Sequence, residues 1–364
     1  MIRKFIFFDV NANHNKEWII EFDPTKSYPE VTTKWGRVGS SYQTKTKTMS
    51  LSSIYTLIND KLDKGYHEIE LATVSTINAK QSTGNAKFDA LIDMWNYEAG
   101  VSISSYLSTT IDQLSLNHIQ KARTALNNIS QKANLVQSIT DYYNLIPTKL
   151  SNKLNINDLI AGFDIVEQDT RLQQLEAAIM QAAPIATGNP LLQFGQIELE
   201  ELDASIIERI VKKCKDTGCR DKTSVYGLTI TPERQAYEKE TLGSTKIMSL
   251  FHGTSAKNVR HVLRSGLIIP QYAANGSRFG RGIYFSDKYQ RSRSYVNGQR
   301  SQFMFLVDVK IGKPYVSSGS NSSYTRAPLG YDSVQGTGSW SGLGDEFIVY
   351  LPSQQTIRAI IHIE

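Results

Sequence analysis

Leu250-Phe251-His252-Gly253-Thr254, Gly280-Arg281-Gly282-Ile283-Tyr284-Phe285-Ser286-Asp287 and Asp345-Glu346-Phe347-Ile348-Val349-Tyr350 are three short stretches of one kind. Each is a strand-like apolar run carrying one polar or aromatic side chain suited to chemistry, in the order His252, Tyr284, Glu346. They stand far apart in the chain. Taken singly, His252 reads as well as a satisfied core histidine, Tyr284 as an aromatic of a β core and Glu346 as a surface charge. Their shared setting makes them a candidate site. Phe303-Met304-Phe305-Leu306-Val307-Asp308-Val309 supplies a further strand, and the Gly- and Ser-rich stretch from Gly312 to Gly344 reads as loops.

Toward the N-terminus the period changes. From Phe88 to about Thr217 apolar residues recur at helical spacing, as in Phe88, Leu91, Ile92 and Trp95, and again in Leu116, Ile119, Ala122, Leu126 and Ile129. This predicts an all-α bundle, with Asn117 as a helix cap, His118 at a surface or cap position, and breaks at Pro147 and Pro184. Further back, Phe5-Ile6-Phe7-Phe8, Trp18-Ile19-Ile20-Glu21-Phe22 and the run from Val31 to Gly39 read as strands, and Ser53 to Leu62 as a helix. The stretch from Val74 to Lys87 has the polar and glycine content of a linker. The expected fold class is multidomain α+β: a small β-sheet with one covering helix over residues 1–78, an all-α bundle over 86–218, and a mostly β unit over 222–364.

With 40% apolar and 21% charged residues the chain can bury a substantial core. The net charge of +5 is concentrated in residues 219–364, with 18 Lys and Arg against 10 Asp and Glu. That balance fits plain solubility, or a surface that attracts polyanions such as a dinucleotide or nucleic acid. Cys214 and Cys219 are too few for a disulfide framework and form a poor zinc site, which points to a reducing compartment and no metal. The apolar run at Phe5 is too short for a secretory signal, and no stretch of about 18 apolar residues suggests a membrane span. An intracellular protein without a membrane partner is expected.

Trp35-Gly36-Arg37, followed by Gln43-Thr44-Lys45-Thr46-Lys47-Thr48, a helix and Lys64-Gly65-Tyr66, resembles the WGR domain along its whole length. A core tryptophan beside a solvated arginine is the plainer reading. In the functional one, Trp35 offers a flat face to a sugar or base, and Arg37, Lys45 and Lys47 offer phosphate contacts to DNA ends or nicks. Gln113 to Ala122 and Tyr142-Tyr143-Asn144-Leu145-Ile146-Pro147 resemble the helical regulatory domain of poly(ADP-ribose) polymerases. That resemblance implies restraint of the catalytic site until DNA is bound.

The three C-terminal stretches resemble the NAD-cleaving site of diphtheria-toxin-like ADP-ribosyltransferases, so the whole chain resembles a DNA-dependent poly(ADP-ribose) polymerase. Cleaving nicotinamide from ribose creates an oxocarbenium-like carbon and calls for a carboxylate near the ribose, an aromatic slot and groups that fix both sugars. The resemblance implies that His252 bonds a ribose hydroxyl and Tyr284 lines the nicotinamide slot. Glu346 would bind the ribose 2′-hydroxyl and stabilise the cation, while Gly253 would grip the carboxamide through its backbone. In Arg291-Ser292-Arg293-Ser294-Tyr295, Ser292 would meet the carboxamide and Tyr295 would stack on the ring. Arg291 replaces the family's lysine, Ile268 stands where a family arginine approaches the adenosine, and Ser277 replaces a tyrosine. The activity implied is transfer of ADP-ribose from NAD+ to proteins, including itself, with elongation to poly(ADP-ribose). NAD+ would be a consumed substrate and not a cofactor. The family's place is the nucleus in a eukaryote, otherwise the cytoplasm or nucleoid. Single-unit transfer and a catalytically silent DNA-end scaffold are the alternatives.

Overall fold

A computed structural model describes residues 1–69, 82–108, 114–129, 135–151, 155–182, 196–242, 246–270, 277–298, 300–337 and 344–364. Most of the expected linker, Gln113 and the break at Pro184 lie outside them. The chain gathers into two compact units, one of residues 1–78 with 101–184, the other of residues 79–100 with 185–364.

The first unit opens with strands β1 (Ile2–Asp9), β2 (His14–Glu21), β3 (Glu30–Arg37) and β4 (Gln43–Thr48), helix α1 (Leu51–Asp63) and strand β5 (His67–Ile69). The strands form an antiparallel sheet in the order β4-β3-β2-β1-β5. Alternation places Phe5, Trp18, Ile20 and Val31 on one face, where Ile54 and Ile58 of α1 cover them. Ser50 caps α1 by accepting from the Ser53 N–H at 3.3 Å. The run Phe5-Ile6-Phe7-Phe8 is apolar without interruption because β1 is buried on both sides: Ile6 and Phe8 join the core of the helices that follow. The Asn144 amide accepts from the Phe8 N–H at 2.7 Å and donates to its carbonyl at 3.2 Å.

Helix α2 (Ala86–Tyr106) contributes to both units; α3 (Leu116–Ile129), α4 (Leu135–Tyr143), α5 (Ile156–Ala161) and α6 (Ile165–Ala182) belong to the first. Ile119, Leu126, Ile139, Tyr142, Leu172 and Leu175 are its buried centre. Two expectations are corrected here. Helix α3 starts at Leu116, so the capping position falls on Ser115, whose hydroxyl accepts from the His118 N–H at 3.0 Å; Asn117 lies inside the helix. His118 is buried, its Nε2 2.6 Å from the Leu145 carbonyl oxygen.

The second unit is built on β6 (Ile197–Glu200), α7 (Ala204–Asp216), β7 (Thr223–Ile230), α8 (Thr231–Lys239), β8 (Ile247–Gly253), α9 (Val259–Ser265), β9 (Ile283–Ser286), α10 (Tyr289–Arg293), β10 (Gln302–Lys310), β11 (Pro314–Ser317), β12 (Ser333–Gly336), β13 (Glu346–Val349) and β14 (Gln355–Ile363). Its sheet runs β11-β12-β13-β9-β8-β10-β14-β7-β6. The span expected to be all-α thus contains a strand, β6: Ile197-Glu198-Leu199-Glu200 alternates with period two and pairs with β7. Strand β10 is covered on both faces, by Phe303, Phe305 and Val307 on one side and Met304 and Leu306 on the other. Trp95 of α2 is fully buried in that first core, edge-on to Phe303 at 6.3 Å between ring centroids. The Glu98 carboxylate accepts from the N–H groups of Arg300 and Ser301 at 2.6 and 3.0 Å. No helix among the described residues is long and apolar enough to cross a membrane.

Candidate active site

Strands β8 and β9 meet at a single residue pair, Phe251 with Ser286. Beyond it the ladder stops, so His252 and Tyr284 stand where the sheet opens. The His252 ring takes the place of the missing main-chain bond: its Nδ1 lies 2.8 Å from the Tyr284 carbonyl oxygen. A carbonyl can only accept, so Nδ1 carries the proton. Burial lowers the pKa of His252 and keeps the ring neutral, which leaves Nε2 as an acceptor suited to a sugar hydroxyl.

Tyr284 is fastened at its hydroxyl, which accepts from the Phe279 N–H at 2.9 Å and donates to the Gly280 carbonyl at 2.8 Å. Burial, more than any neighbouring charge, raises its pKa, so the phenol stays neutral. With the hydroxyl occupied, a ring face is what Tyr284 can offer a ligand. Next to β9 runs β13, in a register that sets Glu346 opposite Ser286 and Ile348 opposite Tyr284. Period-two alternation therefore puts Tyr284 and Glu346 on one face. The entry to β13 is braced: Ser286 Oγ donates to the Asp345 carbonyl at 3.0 Å, the Asp287 carboxylate accepts from the Asp345 N–H at 3.2 Å, and Gln335 donates to the Asp345 carboxylate at 2.7 Å.

Glu346 is buried, with its Oε1 2.7 Å from Nη2 of Arg291 on α10. That short helix is pinned by three side-chain bonds, two of them to one carboxylate. Ser292 Oγ donates to the Phe251 carbonyl at 3.0 Å, the Tyr289 hydroxyl donates to Asp221 at 2.8 Å, and Arg293 pairs with Asp221 at 3.1 Å. A Cβ at position 253 would overlap the Ser292 carbonyl oxygen, so the close approach of α10 to β8 requires glycine there. Tyr295, just past α10, is 53% exposed, its ring open to stacking. In the sequence Arg291 stands out only as a substituted lysine; its bond to Glu346 joins a helix to a distant strand and leaves no local signal. The Asp345 brace was missed for the same reason.

The other candidate residues lie in the five-stranded sheet. Trp35 is partly buried against the core under α1. Arg37 donates to the carbonyl oxygens of Ser151 and Asn13 at 2.6 and 3.2 Å. Lys45 and Lys47 are exposed on the edge strand β4. Among the described residues no cluster of three or more His, Cys, Asp or Glu is arranged to hold a metal ion.

A mostly antiparallel sheet with His, Tyr and Glu on three of its strands defines a class of candidate, and comparison with known proteins carries it further. Residues 205–348 match the family described as poly(ADP-ribose) polymerase catalytic domain, and residues 1–73 match the WGR domain. The chain carries both, the combination of the poly(ADP-ribose) polymerase family. It is 40% identical over 198 residues to protein mono-ADP-ribosyltransferase PARP3 of Gallus gallus, covering 53% of this chain and 36% of that one. It is 25% identical over 302 residues to protein mono-ADP-ribosyltransferase PARP4 of Mus musculus, covering 75% of this chain and 15% of the relative. A putative poly [ADP-ribose] polymerase-like protein, 100L, of Invertebrate iridescent virus 6 is 28% identical over 155 residues, 39% of this chain and 86% of that one. The chain thus spans well under half the length of the first two relatives.

Proposed function

We propose that this chain transfers ADP-ribose from NAD+ to protein acceptors, itself included, with release of nicotinamide. The observation that supports this most is the convergence at the opening of one sheet of a neutral His252, a ring-presenting Tyr284 and a buried Glu346. In the proposed step the ribose–nicotinamide bond breaks and its electron pair leaves with nicotinamide. The Glu346 carboxylate stabilises the positive ribosyl carbon, an acceptor oxygen attacks it, and the acceptor's proton passes to Glu346. Tyr284 packs against the departing ring, and His252 Nε2 accepts from a sugar hydroxyl. NAD+ is consumed, and the step needs neither a recycled cofactor nor a metal.

The WGR domain suggests a nucleic-acid partner, and we take DNA ends or nicks as the stimulus, met by Lys45 and Lys47 with Trp35 and Arg37 beside them. The helical segment would restrain the site until DNA is bound. The protein would act in the nucleus of a eukaryote, or otherwise in the cytoplasm or nucleoid. A His-Tyr-Glu set supports elongation, because Glu346 can also activate a ribose hydroxyl as acceptor. Single-unit transfer is the second reading, favoured by the names of the PARP3 and PARP4 relatives. Incubating the protein with labelled NAD+, with and without nicked DNA, tests these points together. A ladder of products that needs DNA is expected; one discrete labelled band gives single transfer, and no label on any protein sinks the proposal.

A further inference from the structure

Helix α7 ends in a turn of defined geometry. Gly218 has φ 101°, in the left-handed region, and its N–H donates to the Lys215 carbonyl at 3.1 Å, while the Cys219 N–H donates to the Cys214 carbonyl at 2.9 Å. That pair of bonds is the Schellman ending, which sets the side chain just past the glycine against one in the last helical turn. Here both side chains are cysteines. Cys214 and Cys219 are the two cysteines of the chain, both are free, and they pack in one apolar cluster.

The two thiols differ in what reaches them. Cys214 is buried; burial, with Cys219 beside it, pushes its thiol up to about 12, so it stays protonated at neutral pH. Cys219 is half-buried, with its Sγ 3.5 Å from the Asp221 carbonyl oxygen. A soluble oxidant therefore meets Cys219 first.

The same turn seats α10. The N–H groups of Tyr289 and Gln290 donate to the Thr217 hydroxyl and carbonyl at 3.1 and 3.3 Å. The Tyr289 hydroxyl, bonded to Asp221 at 2.8 Å, also stands beside the Cys219 thiol. Two residues further along α10, Arg291 holds Glu346.

We propose that Cys214 and Cys219 are a reversible thiol–disulfide pair, closed by a peroxide, whose state sets how firmly α10 is seated. The Cys219 thiolate attacks one oxygen of hydrogen peroxide; the O–O bond breaks, and the departing hydroxide takes up a proton to become water. The Cys214 thiol gives up its proton and attacks the Cys219 sulfur. As the S–S bond forms the S–O bond breaks, and a second water leaves; two electrons have passed from the thiols to the peroxide. In a reducing compartment such a bridge is transient, which suits a sensor and not a structural staple. Closed, it draws the Cys219 sulfur toward Cys214 and away from the Tyr289 hydroxyl. The bridge stands independently of the transferase reading; its effect on activity rests on that reading.

The test treats the folded full chain with hydrogen peroxide and follows intact mass, free thiols and nicotinamide release. The parent is expected to lose two hydrogens and both free thiols, with Cys214 and Cys219 in one cross-linked peptide, and to regain them with dithiothreitol. Nicotinamide release should fall severalfold on oxidation and recover on reduction, while Cys219→Ser keeps its own rate in both conditions. In Cys214→Ala the sulfenic acid has no partner, so dimedone should label Cys219. Two free thiols after peroxide, a bridge between two copies of the chain, or Cys219 oxidised to the sulfonic acid with Cys214 still free overturns the pair. A bridge that forms while nicotinamide release is unchanged overturns the link to α10. If the bridge forms and reopens in a protein that never releases nicotinamide, the transferase reading is refuted and the thiol pair stands.

Discussion

The two sheets of this molecule hold their candidate functional residues in opposite ways. In and against the nine-stranded sheet His252, Tyr284, Ser292 and Glu346 are each fastened by a side-chain bond to a neighbouring strand, helix or loop. In the five-stranded sheet Trp35 and Arg37 are partly spent on the fold itself, and Lys45 and Lys47 project from an edge strand. The difference follows from the chemistry each set is suited to. Cleaving a glycosidic bond needs atoms placed to within a fraction of an ångström, whereas phosphate contacts tolerate flexible cations and depend on summed charge. Fastened residues should therefore fail singly and steeply, and projecting ones jointly and in a salt-dependent way.

The largest stability effect expected lies outside both sets. Trp95 belongs to the span that sequence alone assigns to the helical bundle, yet it is buried in the core of the nine-stranded sheet. Trp95→Ala should cost about 3–5 kcal/mol in the unfolding of that unit. Denaturant unfolding followed on the catalytic part checks this; a loss confined to the helical unit would show that α2 has been assigned to the wrong core.

A smaller effect is expected at the five-stranded sheet. Arg37→Ala removes a solvent-exposed bond to the Ser151 carbonyl, which water can replace, and should cost about 0.5–1.5 kcal/mol, while Lys45→Ala with Lys47→Ala should cost almost nothing. For DNA the order reverses. The double lysine variant should weaken DNA-end binding and flatten its salt dependence, because two fewer phosphates are neutralised. Parent-like affinity and salt slope in that variant would remove β4 from the DNA surface.

The smallest effect concerns pH. Burial lowers the pKa of His252, and of His362 in the same direction, below the unfolded value of about 6.5. Between those values the unfolded chain binds more protons, so this part of the stability is complete above pH about 6.5 and is lost as pH falls through the lowered folded values. Unfolding at pH 7.5 and 5.5 should show a drop that is shallower in His252→Asn. An equal drop in parent and variant would mean that His252 is not held neutral.

What could be read from one sequence, and what could not, follows the range of the interactions. The runs at Phe5, Trp18 and Phe303 are legible because β1, β2 and β10 are apolar enough to declare themselves, and His252, Tyr284 and Glu346 stand on such runs. Helix caps are legible only to within a residue or two: Ser115 and Asn117 both suit the role, and the helix start decides between them. His118 could not be placed, since its partner is the carbonyl of Leu145, in the turn after α4. Arg291 with Glu346, and Trp95 with Phe303, are likewise pairings that no local period encodes.

The carboxylate of Glu346 carries the central charge of the proposed site. Release of nicotinamide from labelled NAD+ should be measured for the parent and for Glu346→Gln, which keeps the shape of the side chain and removes its charge. The variant is expected to fall by about 10²–10³-fold, the loss typical of removing one preorganised electrostatic partner, while circular dichroism and benzamide binding stay at parent values. Nicotinamide release at the parent's rate by a folded Glu346→Gln would contradict the account.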